Sequence, residues 1–198
     1  MIDLSLNEAQ TLAVRAARGA GFPWGLADDI GRAARLLAMR GEPWAEALLA
    51  LTRHADDFDP PSPERAARWR SGKPDLPAAA PLCPVRTAML LIDAGIEPGG
   101  TPLRLARVGL PIWLQGLLQT AETTIQYVVD CGTSEALLRA ADVTISKTKA
   151  HTEAPAARRA QVGPDVLSAL LPIAGRVYVP ESERSRARGA GGGSVDDE

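Results

Sequence analysis

Apolar side chains recur every three to four residues over the first third of the chain, which predicts amphipathic helices. A second helix follows Pro23 and stops at Gly41, and a third runs from Pro43 to about His54. The short connections between these helices predict a compact three-helix unit over residues 1–54. The apolar stripe of the first helix consists of Leu6, Ala9, Ala13, Ala16, Ala17 and Ala20.

The residues at the ends of the first two helices support these boundaries. Ser5 and Glu8 have the spacing of a capping box, in which each side chain bonds to the other residue's backbone N–H. Gly19 and Gly21 end the first helix, since glycine readily adopts the left-handed conformation of a C-cap. Pro23 suits the first turn of the second helix, where its missing N–H costs nothing.

Residues 55–84 are rich in proline, which prevents long regular elements. We therefore expect a mostly irregular connector with one short helix near Glu64–Trp69. Two interpretations of this connector stay open. It is either a surface linker, or a strap that wraps the core and lines a pocket.

Residues 85–180 have shorter apolar runs, which predict an α+β portion. We expect the whole chain to be an α+β fold in one compact domain, with the three-helix unit packed on a small mixed or antiparallel sheet and a few helices. Residues 85–94 fit a helix or a strand equally well, and residues 154–160 read as an exposed connector. The predicted strands are Leu103–Val108, Thr123–Val129, Asp142–Thr148 and Arg176–Val179, and the predicted helices are Pro111–Gln119 and Pro164–Leu171.

Composition and charge exclude several classes of partner. The net charge of −2 gives no basic surface for DNA or RNA, so we expect no nucleic-acid partner. No segment approaches the roughly 20 apolar residues that span a bilayer, so we expect no membrane partner. The two cysteines, Cys83 and Cys131, are far apart, which is typical of reduced thiols in a cytoplasmic protein.

The stretch from Arg15 to Asp29 is the first candidate site. A glycine turn before a helix N-terminus can present backbone N–H groups to a carboxylate or phosphate. Arg15 and Arg18 can add charge-assisted hydrogen bonds to the same anion, and Trp24 can form an apolar wall. The alternative is a purely structural helix–turn–helix corner. In that case Gly19 and Gly21 only cap the helix, and Trp24 packs inward.

The tail over residues 181–198 is glycine-rich and then acidic, and it is the second candidate. It repeats the Arg-Gly-Ala-Gly sequence of the first site, with Arg186 and Arg188 before Gly189 and Gly191. These residues can grip an anion, or the tail can insert into a partner. A disordered C-terminus is the simpler interpretation, because such a composition buries little apolar surface.

The remaining reactive residues give no catalytic or metal assignment. Arg86 can lower the pKa of Cys83, but no histidine lies nearby in sequence to activate the thiol. His54 and His151 lack metal-ligand spacing, so no metal site is predicted. Asp28 and Asp29 point in different directions on a helix, which excludes a catalytic carboxylate pair. The catalytic residues and any cofactor therefore stay unknown.

Three segments at the two ends of the chain form a recognisable pattern: Leu4–Glu8, Ala16–Ala27 and the ending that follows Val179. This pattern resembles a family of bacterial proteins of unknown function, DUF3726. Gly192 stands where the family pattern has an alanine. The resemblance implies no activity and no catalytic residues. It does imply that the two Gly-Ala-Gly segments belong to the family pattern.

Two functions are compatible with these observations. The first is a metabolic protein, with or without enzymatic activity, that binds a small organic anion between the Gly19–Trp24 turn and the Arg-Gly tail. The second is a non-catalytic accessory subunit whose glycine-rich tail docks into a partner enzyme. A protein partner or a homo-oligomer is possible under either.

Overall fold

The computed structural model describes residues 1–98, 102–120, 126–131, 138–148 and 157–178. Within these residues the chain forms seven α-helices, five strands and one short 3₁₀ helix, Ala55–Asp57. The α+β prediction is therefore confirmed. In chain order the helices and strands are β1 (Ile2–Ser5), α1 (Leu6–Gly19), α2 (Trp24–Met39), α3 (Trp44–Arg53), α4 (Pro63–Arg70), α5 (Pro84–Asp93), β2 (Leu103–Val108), α6 (Pro111–Thr120), β3 (Gln126–Asp130), β4 (Ala141–Thr148), β5 (Arg159–Val162) and α7 (Pro164–Gly175).

The three predicted N-terminal helices are confirmed as α1, α2 and α3. Ser5 and Glu8 form the predicted capping box at the start of α1, with the Glu8 N–H donating to Ser5 Oγ over 3.1 Å. Alanines line the inner face of α1, which lets α2 and α7 approach its backbone closely. Trp113 of α6 is fully buried and donates to the Ala47 carbonyl of α3, so the later helices complete the same core.

A two-stranded antiparallel sheet joins the beginning of the chain to its last third. Strand β1 pairs with β5, with Ile2 opposite Val162 and Ser5 opposite Arg159. The expectation of an exposed connector was wrong for residues 159 and 160, which belong to β5. Residues 154–156 lie outside the described part of the chain. Strand β5 is only four residues long, so its alternation of exposed and buried residues is too short to predict a strand. Its partner strand, β1, is distant in sequence.

A three-stranded antiparallel sheet has the order β2-β4-β3. The predicted strands over 103–108 and 142–148 are confirmed, as is the part of Thr123–Val129 that the structure describes. A register shift interrupts β2 between Leu105 and Val108. There the backbone N–H of Ala106 donates to Asp75 and that of Arg107 to Asp142, both over 2.8 Å.

The proline-rich connector is mostly irregular and contains the predicted short helix, α4, together with the 3₁₀ helix at its start. It is anchored to the second sheet, because Leu82 exchanges backbone hydrogen bonds with Arg107 and Gly109 at the edge of β2. Arg65 and Asp75 form a buried ion pair of 2.7 Å within it. The connector is thus a strap that packs on the core and covers a sheet edge.

The structure also decides two further predictions, one for residues 85–94 and one for the segment after α7. Residues 84–93, which fitted helix or strand, form α5. The expected strand over Arg176–Val179 was wrong for residues 176–178, which form a turn after α7. Helix α7 continues through Pro172 to Gly175, and the Tyr178 N–H donates to the Gly175 carbonyl.

Candidate functional site

In the turn between α1 and α2 the backbone N–H groups already have hydrogen-bond acceptors. The N–H groups of Ala20, Gly21 and Phe22 all donate to carbonyls in the last turn of α1. Gly21 has a φ of +92°, in the left-handed region that favours glycine. The turn itself therefore offers no N–H group to a ligand. Donors remain at the first turn of α2, where the N–H groups of Trp24 and Gly25 meet no acceptor among the described residues.

Arg18 lies across this turn and on the face of Trp24. The Arg18 guanidinium carbon is 3.8 Å from the centre of the Trp24 ring, and Nη1 donates to the Phe22 carbonyl over 3.2 Å. Trp24 is 67% exposed, so the expectation that it packs inward in a structural corner was wrong. The exposed ring instead packs against one face of the Arg18 guanidinium, and this contact restricts the positions that the guanidinium can take.

Arg15 is held over a second aromatic ring. Its guanidinium carbon lies 5.4 Å from the ring centre of Tyr178, which is 58% exposed in the turn after α7. Tyr178 was not among the candidate residues, because its sequence neighbours read as a strand. No described carboxylate lies within 4 Å of either the Arg15 or the Arg18 guanidinium. We call Arg15, Arg18, Trp24 and Tyr178 the arginine–aromatic cluster.

The cluster depends on a close contact between α1 and α7. A Cβ atom on Gly19 would lie 1.8 Å from the Ile173 carbonyl oxygen, so only glycine allows these helix ends to meet as they do. The approach carries the turn after α7, and with it Tyr178, to Arg15. Gly19 and Gly21 thus shape the site through the backbone. Arg186, Arg188, Gly189 and Gly191 lie outside the described residues.

Asp28 and Asp29 lie in the second turn of α2. Asp29 forms an ion pair with Arg32, one helical turn further along the helix. Asp28 is exposed.

The other reactive side chains give no catalytic arrangement. Burial raises the pKa of the Cys83 thiol, and the opposing hydrogen bonds from the Arg86 and Val85 backbone and the Arg86 charge do not offset it. Arg86 lowers this pKa as expected, but the effect of burial is larger, so the thiol is not activated. His54 bonds to Asp57 over 2.7 Å at the surface. Among the described residues no group of three or more His, Cys, Asp or Glu side chains is placed to hold a metal ion.

No helix in the described part of the chain is both long enough and apolar enough to span a bilayer.

The N-terminal part of the chain is similar to a known family. Residues 4–68 match the model of a family described as protein of unknown function (DUF3726). The match extends from β1 into α4 and confirms the resemblance over these elements. The similarity of the C-terminal ending lies outside it. None of the curated proteins and none of the solved structures matches this chain.

Proposed function

We propose that this chain, whose N-terminal helices resemble DUF3726 proteins, binds a small organic anion at the arginine–aromatic cluster. The observation that carries the proposal is the placement of Arg15 and Arg18. Each guanidinium lies over an exposed aromatic ring, and neither has a carboxylate partner among the described residues. An arginine held in place in this way loses little side-chain freedom when it binds a carboxylate or phosphate.

The N-terminus of α2 adds to the attraction for an anion. Its first-turn N–H groups lie beside Trp24, and the dipole of this 16-residue helix favours negative charge there. Pro23 provides no side-chain cap that would compete for these donors. Trp24 itself forms the apolar wall, so a ligand with a short hydrocarbon part beside its acid suits the site.

We include the C-terminal tail over residues 181–198 in this proposal, because its arginines can provide further positive charges for the anion. In the sequence the tail begins three positions after Tyr178, whose ring lies near Arg15. Arg186 and Arg188 are the candidate contacts, with Gly189 and Gly191 allowing close backbone approach. The proposed ligand would then lie between the Gly19–Trp24 turn and the tail.

Trp24 gives a direct test of anion binding. The chain has four tryptophans, and Trp44, Trp69 and Trp113 are buried, so Trp24 is the tryptophan that quenchers and ligands reach. We expect inorganic phosphate, acetate or citrate to change the Trp24 emission and to raise Tm by binding the native state. Arg15→Gln and Arg18→Gln should weaken the response at least fivefold. The control is Arg53→Gln, an exposed arginine at the end of α3.

A chain shortened to end at Pro180 tests the contribution of the tail. Stabilisation by these anions that is lost in the shortened chain would place the tail in the site. Equal stabilisation of both chains would confine the site to the cluster. The anion proposal fails if neither chain responds, or if Arg15→Gln and Arg18→Gln respond as the unaltered chain does.

The alternative proposal is a non-catalytic accessory subunit that docks its tail into a partner enzyme. It is favoured by the exposed side chains of the arginine–aromatic cluster, since tryptophan, tyrosine and arginine are the residues enriched at interface hot spots. Under this proposal the tail binds the partner and the anions have no effect. Loss of association on removing the tail, with no anion response, would support it.

A further inference from the structure

A recess of about 280 Å³ runs along the exposed stripe of α1. It begins near the start of the helix and ends at Arg15, which also belongs to the arginine–aromatic cluster. The recess is open to solvent on its outer side. The described residues that line it all belong to α1: Asn7, Glu8, Thr11, Leu12 and Arg15.

The two ends of the recess carry opposite charges. Arg15 lies at one end, with its guanidinium over Tyr178. Glu8 lies at the other end, where its Oε2 accepts from the Ser5 N–H over 2.6 Å. The bonds from Ser5 and the nearby charge of Arg159 lower the pKa of Glu8, so this carboxylate stays ionised at neutral pH.

The spacing of these charges sets the size of a ligand. Glu8 and Arg15 are seven positions apart on one helix, which corresponds to a rise of about 10 Å and to nearly the same face. Between them, Thr11 offers a hydroxyl and Leu12 an apolar surface. A ligand that uses both ends therefore has an anionic group, a short hydrocarbon chain and a cationic group.

We propose that the recess binds a dipolar amino acid of this kind, with its carboxylate at Arg15 and its ammonium group at Glu8. This inference rests on the proposed anion site and names the class of ligand that the site takes. Arg35 donates to Asn7 Oδ1, and Arg159 acts on Glu8. These two cations favour a second acid at the Glu8 end, so the competing ligand is a dicarboxylate.

Three probes with the same six-carbon chain distinguish these ligands in calorimetric titrations of the full chain at low salt. They are 6-aminohexanoate, hexanoate and adipate, which differ only in the group at the far end. We expect 6-aminohexanoate to bind at least fivefold more tightly than the other two. Arg15→Gln should weaken the binding of all three, because each places a carboxylate there.

Glu8→Gln is the decisive variant, since glutamine keeps the capping box while it removes the charge. It should abolish the preference for 6-aminohexanoate and leave hexanoate binding unchanged. Glu46→Gln, an exposed acid in the first turn of α3, is the matched control. Equal Tm values for the two variants would exclude a folding effect.

The outcomes distinguish the failure of the dipolar-ligand inference from the failure of the anion-site proposal on which it rests. Tighter binding of adipate, or equal binding of all three probes, would contradict the inference of a dipolar ligand but would remain consistent with an anion site. A preference that survives Glu8→Gln would overturn it as well. If no probe binds, or if Arg15→Gln changes nothing, the anion site itself fails.

Discussion

Arg65 and Asp75 show how single residues hold the strap on the core. Arg65 also donates to the carbonyls of Leu76 and Pro77, while Asp75 accepts from the Ala106 N–H at the interruption of β2. The pair is almost fully buried, with side chains 8% and 3% exposed. A buried ion pair is stable only when its remaining donors and acceptors are satisfied, and these carbonyl and amide groups meet that need.

Removing one partner of this pair should destabilise the protein strongly. We expect Arg65→Met to lower the free energy of unfolding by about 3–5 kcal/mol, because Asp75 is left charged and buried without its cation. Urea unfolding measures the change. Arg70→Met, at an exposed position of the same helix, should stay within about 0.5 kcal/mol of the unaltered chain. Similar losses for both variants would contradict a buried-pair effect.

Cys83 gives a prediction about pH. Burial raises the pKa of its thiol in the native state, so the native state holds this proton more tightly than the unfolded state does. The resulting stability is fully present below the pH at which the unfolded thiol ionises, about 8.5. It is lost as the pH rises from there through the native pKa.

Unfolding in urea between pH 7 and pH 10 checks this sign. The unaltered chain should lose more stability over this range than Cys83→Ala does, since only the former carries the buried thiol. Cys131 is present in both chains and cancels in the comparison. Parallel pH profiles would show that Cys83 has an ordinary pKa in the native state.

At the scale of elements, close packing of α1 relies on particular small residues. Gly19 meets the Ile173 backbone, and a Cβ atom on Gly31 of α2 would lie 2.4 Å from Val14 Cγ2. Glycine and alanine on these faces bring three helices together with little side-chain volume between them. The cost is sensitivity to any added methyl group.

A pair of glycine variants tests this packing. Gly19→Ala should destabilise the chain by about 1–3 kcal/mol, because the helix ends must separate or the backbone must shift. Gly25→Ala places the same methyl group in open space in the first turn of α2, and should be neutral or stabilise by up to about 1 kcal/mol. Thermal unfolding gives both values. If Gly19→Ala is as stable as Gly25→Ala, the α1–α7 contact is looser than described.

The sequence predicted those elements that carry their own local signals. The capping box at Ser5, the apolar stripe of α1 and the alternation in Leu103–Val108 each lie within a few residues. The prediction from sequence failed where the secondary structure of a segment depends on pairing with a strand that is distant in sequence. Residues 159–160 became a strand through pairing with β1. Arg176–Tyr178 had strand composition, but none of the described strands pairs with these residues at the end of α7.

The candidate site was predictable only in part for the same reason. Arg15, Arg18 and Trp24 lie close in sequence, so their combination could be found by inspection. Tyr178 completes the cluster through the α1–α7 contact, and no spacing in the chain reveals that contact. The recess also escaped notice, because Glu8 was explained by the capping box alone.

At the scale of the whole molecule, the predicted N-terminal unit shares its core with the rest of the chain. Buried alanines of α1 pack against α7, and Trp113 of α6 donates to Ala47 of α3. Trp44 likewise donates to the Gln161 carbonyl of β5. Residues 1–54 therefore leave a large apolar surface uncovered when they stand alone.

A fragment of residues 1–54 tests whether the chain is one cooperative domain. We expect it to be partly helical and to melt gradually, because the surfaces that α6, α7 and β5 cover are missing. The full chain should instead show one sharp transition. Circular dichroism during heating distinguishes the two. A sharp transition of the fragment would make residues 1–54 an independent domain.

The pairing of β1 with β5 has a consequence for how the protein is made. Asp3 and Gln161, which face each other in this sheet, are 158 positions apart. At a synthesis rate of roughly 5–20 residues per second, the first strand leaves the ribosome about 10 to 30 seconds before its partner exists. During that interval Ile2 and Leu4 have no strand beside them. The nascent chain therefore presents an unpaired apolar edge for longer than most of its other elements do.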